Sequence, residues 1–228
     1  MLPELRRVGR EASPVVVIDD FSGDAEAVAA LADELAPFPP AAGNYYPGLR
    51  RFITAADTDA DAYARRLCES AAPFLAGAFD IDEFDLLEAS FSLVTTAPAA
   101  LAPAQRAPHF DTPDPRHFAL LHYLRVPEGS GTAFYRQRST GIEMVTEQNV
   151  ATFVRAAETA AAALAPDAGY IGGSDAHYEQ IGAVEAVADR LVIYQGSLLH
   201  SGIIPPTMAF SGDPREGRLT ANLFVKGR

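Results

Sequence analysis

From Phe118 to Val126 the chain reads Phe-Ala-Leu-Leu-His-Tyr-Leu-Arg-Val, an apolar run whose alternation leaves neither side polar. Successive side chains of an extended backbone leave on opposite faces. Phe118, Leu120, His122 and Leu124 therefore share one face, and His117, Ala119, Leu121 and Tyr123 share the other. Both sets are largely apolar, and a strand of this kind has to be covered twice. A barrel wall that also supports helices meets that demand, whereas a sheet with one wet face does not. His122, set between leucines, reads as a packed core histidine.

The rest of the chain fits such a wall. Val15 to Ile18 is a β-branched run, followed by a helix that the pattern starts at Ser22 as N-cap. That helix carries Val28, Leu31 and Leu35 on one stripe and stops near Pro37. Pro39-Pro40 and Asn44 to Gly48 read as an irregular loop. Thr58 to Leu75 predicts a second helix, with Thr58 and Asp61 in capping-box-like spacing and Pro73 disturbing its last turn. From Leu86 the period shortens. Leu87–Thr95, Phe118–Val126, Thr132–Arg136, Ile181–Val187, Leu191–Gln195 and Leu219–Val225 read as strands. Alanine-rich Thr146 to Leu164 interrupts them as a third helix. Helices ahead of a mainly antiparallel β region predict a mainly β (α+β) fold, a sandwich or barrel braced by helices on one face. The 228 residues contain no Ser/Gly-rich linker. The expected organisation is one domain, 1–85 supplying the first strand and helices and 86–228 the β core, with a helical insertion at about 146–173.

Composition removes several function classes. A formal charge of -12 with no basic run repels polyphosphate, so nucleic acid is not an expected partner. Arg50-Arg51 and Arg136-Gln137-Arg138 read as solvated surface arginines or, alternatively, as places to hold a small anion. With 48% hydrophobic residues the chain can bury a sizeable core, yet it has no stretch long enough for a bilayer. Met1 to Pro14 lacks an apolar signal-peptide core and Cys68 stands alone, so a cytoplasmic protein without an internal disulfide is expected.

The chemistry concentrates at His109 and Asp111, two residues apart and so on one face of extended chain. In an acidic chain with five histidines such a triplet is cheap, and His177-Tyr178-Glu179 fits the same pattern. His200 distinguishes them: it follows the strand break at Gln195-Gly196-Ser197, where side chains can converge with the first pair. Two imidazoles and one carboxylate form the facial ligand set of a mononuclear non-haem iron centre. Farther on, Arg218, Thr220 and Asn222 alternate with Leu219, Ala221 and Leu223. Their polar face is either solvent-facing or the lining of a pocket, in which Arg218 offers a planar fork to a carboxylate.

Taken in order, these residues resemble the iron(II) and 2-oxoglutarate dependent dioxygenases, particularly the prolyl-hydroxylase-like branch. The similar stretch covers roughly residues 88–228. It runs through His109-x-Asp111, Arg116, Tyr123-Leu124, Gly129-Ser130-Gly131-Thr132 with Phe134, Arg190-Leu191-Val192, His200 and Arg218-x-Thr220. Val15 to Leu35 looks like the strand and helix that commonly precede this core. The resemblance implies a double-stranded β-helix, a jelly roll whose open end holds iron(II) on His109, Asp111 and His200. It also implies that Arg218 and the Tyr123 hydroxyl hold the distal carboxylate of 2-oxoglutarate, with the Thr220 hydroxyl two residues after the arginine. Two spacings depart from the pattern: His109 to His200 is long, and Arg218 lies unusually far beyond His200. The implied reaction uses molecular oxygen to oxidise a C–H bond of a small molecule or peptide, releasing succinate and CO2. Tyr45, Tyr46 and Pro47 belong to a loop that can cover the opening, and Arg136 and Arg138 can reach its rim. Two readings stay open beside this one. They are a non-catalytic cupin-like module that binds a metal or small molecule, and a metal enzyme that uses no 2-oxoglutarate.

Overall fold

The strand that demands two covers has them. The computed structural model describes residues 3–41, 46–165 and 168–228. Its elements run β1 (Pro3–Val8), β2 (Ser13–Ile18), α1 (Ala25–Glu34), β3 (Gly48–Phe52), α2 (Thr58–Phe79), β4 (Phe84–Val94), β5 (His117–Arg125) and β6 (Gly131–Gln137). They continue with α3 (Val150–Ala162), β7 (Tyr178–Glu185), β8 (Arg190–Gln195), β9 (His200–Ile203) and β10 (Leu219–Gly227). A large sheet in the order β1-β2-β8-β5-β10-β4-β3 faces a small one, β7-β6-β9, and the pairings are antiparallel. Together they form a double-stranded β-helix. β5 runs through the middle of the large sheet.

On the outer face of that sheet Phe118, Leu120 and Leu124 pack with Leu191, Ile193 and Leu223 against α1 and α2, including Val28, Leu67 and Leu75. On the inner face Ala119 and Tyr123 join Val15, Val17, Val192 and Tyr194 and meet Phe134 and Val184 of the small sheet. The unbroken Val15–Ile18 run follows from this layering, because Val16 and Ile18 serve the outer cluster while Val15 and Val17 serve the inner one. Each fully buried Leu or Ile contributes about 1.5–3 kcal/mol from its removal from water. α3 packs Phe153 and Ala160 on the outer face of the small sheet, beside Ala133 and Tyr135. No described helix is long and apolar enough to cross a membrane.

Several local expectations are corrected. β1, β3 and β9 have no counterpart in the sequence reading; β3 lies where breakers suggested irregular loop. Asp24, not Ser22, caps α1, its side chain accepting from Ala27 N. No Thr58 capping box forms: Asp57 precedes α2, and its carboxylate instead takes the Thr54 N–H, the Thr54 hydroxyl and Arg51. Pro73 sits inside α2, which continues to Phe79. It lies on the exposed face, where water can satisfy the carbonyl it leaves free. The third helix starts four residues later than Thr146, after a turn in which Asn149 Oδ1 accepts from Thr146 N.

Ser22 has another task. Its N–H and hydroxyl and the Gly23 N–H all donate to the Asp189 carboxylate, at 2.9, 2.5 and 2.8 Å. His122 Nε2 lies 2.9 Å from the same carboxylate and its Nδ1 lies 2.8 Å from the Tyr63 hydroxyl. Burial lowers the His122 pKa, against the pull of Asp189. The neutral ring therefore donates from Nε2 to Asp189 and accepts at Nδ1 from Tyr63. This chain ties α2, β5, the β7–β8 turn and the entry to α1. The histidine is a satisfied core residue, as its leucine neighbours implied.

Burial pushes the Asp189 carboxyl up, but the bonds from Ser22, His122 and Gly23 outweigh it and hold the pKa below the ordinary value. Replacing Asp189 by Ala strands these donors, and the unfolding free energy is expected to fall by about 3 kcal/mol in urea titrations at pH 7. A depressed carboxylate pKa stabilises above its unfolded value and is lost as pH falls through the folded one. The acid limb of the stability profile should accordingly be shallower in the variant.

Candidate metal centre

His109 and His200 are brought together by their own backbones. His109 N donates to His200 O at 2.9 Å and His200 N to His109 O at 2.8 Å, an isolated antiparallel bridge. Residues paired this way send their side chains to the same side, and the ring centroids stand 4.4 Å apart. His200 opens β9 opposite Phe134, which fixes that side as the barrel interior. Two residues beyond His109, Asp111 N donates to Gly196 O at 2.7 Å, and Gly196 N donates to His117 O at 2.9 Å. The ligand atoms of His109, Asp111 and His200 all lie within 4.8 Å of one another.

Gly196 is glycine for space. A Cβ there would stand 2.6 Å from His117 Nδ1 and 3.0 Å from Asp111 Oδ2. The Asp111 side chain, 17% exposed, rests in that gap with Oδ1 3.8 Å from His200 Nε2, and no described residue donates a hydrogen bond to it. Burial pushes its pKa up, with His109, His117 and Arg50 opposing. His200 Nδ1 lies 2.7 Å from Leu198 O, so this nitrogen carries the proton and Nε2 keeps its lone pair toward Asp111. Burial lowers the His200 pKa to about 4. His109 is an exposed residue as a whole, yet the protein packed around its ring and the neighbouring His200 also bring its pKa to about 4. Both imidazoles are neutral at pH 7, the form that binds metal.

The polar face of the last strand is not a solvent face. A tight turn, with Glu216 N and Gly217 N both donating to Asp213 O, turns the long loop back so that Arg218 is only 6% exposed. Its Nη2 lies 3.4 Å from Gly131 O, its guanidinium lies 5.6 Å from the Tyr123 ring centroid, and its Nε is buried without a partner. Thr220, also buried, stands between Tyr123 and Ser92 in the sheet register. The Tyr123 hydroxyl is 2.7 Å from Thr132 Oγ1.

Other side chains reach this interior, Tyr194 and Ser92 without having been singled out and Tyr46 from the loop expected to cover the opening. Tyr194 packs edge-on against His200, with 4.8 Å between centroids, and burial drives its phenol pKa well up. Its inner-face alternation with Val192 was the available signal. The Ser92 hydroxyl and the Tyr46 hydroxyl are buried side by side without a well-aligned hydrogen bond. Tyr46 comes from a loop, where no periodicity reveals direction; Tyr45 of the same loop lies outside the described residues. Glu179 of the rival triplet is engaged at 2.8 Å by Arg136, and among the described residues it is His109, Asp111 and His200 whose ligand atoms cluster closely enough to hold a metal. Arg136 is buried against Glu143 at 2.6 Å, and Arg138 donates to Asp175 O at 2.9 Å, so neither is a free cation at the rim of the opening.

The model of a family described as a family of unknown function, DUF6445, matches residues 2–225. No curated protein matches the sequence. Among solved structures the chain is similar to SnoK, a non-heme alpha ketoglutarate dependent carbocyclase from nogalamycin biosynthesis. The TM-score is 0.55 at 13% identity, covering 96% of this chain and 84% of that one. It is similar to HygX from Streptomyces hygroscopicus with nickel and 2-oxoglutarate bound (0.54, 13%, 95% and 84%). It is also similar to SnoN, a non-heme alpha ketoglutarate dependent epimerase of nogalamycin biosynthesis (0.51, 16%, 94% and 79%). At these identities the likeness is one of fold.

The Gly196 contact gives a direct check. Gly196→Ala should push Asp111 and His117 apart and weaken Co(II) binding by about tenfold to a hundredfold in calorimetric titration, the scale of a disturbed ligand support.

Proposed function

We propose that this chain, which belongs to the family DUF6445, is an iron(II) and 2-oxoglutarate dependent oxygenase that oxidises a C–H bond of a small molecule or peptide. One observation carries the reading. Two neutral imidazoles and a carboxylate within 4.8 Å share the barrel interior with an arginine whose Nε is buried and unpartnered. The donor set suits iron(II), and it leaves positions open for other ligands. The orphaned Arg218 Nε, Tyr46 hydroxyl and Ser92 hydroxyl suit the distal carboxylate of 2-oxoglutarate, because buried polar atoms without partners are costly unless a ligand completes them. A cupin-like metal module without this co-substrate gives Arg218 no such purpose.

His109, Asp111 and His200 would hold the metal, His200 through Nε2, with Leu198 O fixing its tautomer. Arg218 would pair with the carboxylate as a charge-assisted fork held over the Tyr123 ring. Tyr123 can accept from Thr132 and so turn its own O–H toward the same carboxylate, while Thr220 lines the wall between them. Tyr194 and Phe134 pack at 5.3 Å and close the apolar side of the site against water. Iron with 2-oxoglutarate and oxygen supplies the oxidation of the C–H bond, with succinate and CO2 as co-products.

Under anaerobic conditions iron(II) and 2-oxoglutarate added together should produce a weak visible charge-transfer band. It should be absent in His109→Ala, and a wild type without it would sink the reading. Arg218→Leu is expected to weaken 2-oxoglutarate binding by about tenfold to a hundredfold, the worth of a charge-assisted bond, while iron binding stays nearly unchanged. Equal loss of both would remove Arg218 from that role.

A further inference from the structure

Arg50 has an unusual setting for a residue on an edge strand. Across the sheet it is level with Ser92, which faces Thr220, so it belongs to the inner wall of the barrel. Its guanidinium stands 5.7, 5.3 and 5.9 Å from the ring centroids of Tyr46, Phe52 and Phe224. Only Nη2 bonds to described residues, to Glu88 Oε1 at 2.7 Å and Ser90 Oγ at 2.9 Å, and Nε is buried with no partner. The Arg50 side chain is 18% exposed and that of Glu88 35%, so the pair is open on one side.

The pair also stands near the metal ligands. The Phe224 ring that flanks Arg50 packs on the other hand against His117, with 5.2 Å between centroids. His117 and Asp111 in turn crowd the same point over Gly196. Arg50 is thus linked to Asp111 through two rings.

We propose that Arg50 and Glu88 recognise an amino-acid-type substrate, the guanidinium taking its carboxylate and the Glu88 carboxylate its ammonium. The proposal rests on the oxygenase reading of the adjoining centre. A fold-stabilising ion pair gives no reason to bury an N–H without a partner, whereas a ligand carboxylate completes it. A purely anionic ligand would meet Glu88 and a purely cationic one Arg50. A zwitterion with both charges on one carbon satisfies each, and its side chain is left to extend toward the metal ligands.

Thermal melting of the protein loaded with Zn(II) and 2-oxoglutarate tests this without turnover. The probes are the common L-amino acids at millimolar concentration, each beside its N-acetyl and carboxamide forms. At least one free amino acid should raise Tm by about 2–4 °C, and its blocked forms should not. Arg50→Leu should abolish the rise. Glu88→Gln, a near-isosteric change at a partly exposed position, should make the N-acetyl form bind as well as the free one. In both variants 2-oxoglutarate alone should still raise Tm as in wild type, which also shows that they fold. The proposal is overturned if no free amino acid raises Tm or if blocked forms act equally in wild type. It is equally overturned if Arg50→Leu keeps the amino-acid response, or if it folds but loses the 2-oxoglutarate response, which would place Arg50 in the co-substrate site. If 2-oxoglutarate leaves the wild-type Tm unchanged, the oxygenase reading falls. The amino-acid pattern then decides the clamp by itself.

Discussion

Three residues, the candidate metal ligands, stitch the two sheets together at one end of the barrel. His109 exchanges both backbone hydrogen bonds with His200 of the small sheet, and Asp111 donates to Gly196, itself bonded to His117 of the large sheet. The bonds that close this end of the barrel are therefore the bonds that bring the three candidate ligands together. A ligand set built on main-chain pairing has little freedom to drift, and supporting contacts of that kind give a centre its precision. Leu198 and Gly196 complete the arrangement, one by fixing a tautomer and the other by having no side chain.

Behind the stitch the inner face of the large sheet is divided. Val15, Val17, Ala119 and Val192 make one part dry, while Ser90, Ser92, Thr220 and Arg218 make the other polar. The dry part drives closure of the barrel. The polar part opposes it, since the Ser92 hydroxyl and the Arg218 Nε are buried without partners. Such tension inside a folded chain is typical of a functional cavity, where a ligand supplies what the protein lacks.

Part of this was legible in the sequence. Phe118 to Leu124 requires covers on both faces, and the structure supplies helices on one and a second sheet on the other. His109 and Asp111 were legible as a pair, but the choice between them and His177-Glu179 needed the bridge to His200 and the capture of Glu179 by Arg136. The depth of Arg218 was illegible, because a long loop ending in a turn erases any count from His200. β3 was hidden by neighbouring breakers: an edge strand paired mainly on one side needs little β-propensity of its own. With it went the orientation of Arg50, for which the sequence left surface arginine and small-anion site both open, and of Tyr46, whose direction is set by distant residues.

That edge strand makes the two ends of the cavity mechanically unequal. β3 hangs from β4, and among the described residues its outer edge exchanges backbone bonds with the short segment around Pro39–Ala41. The ligand end is sewn from both sheets. The wall that carries Arg50 is thus attached through one neighbouring strand, whereas His109, Asp111 and His200 are fixed by backbone bonds that reach both sheets.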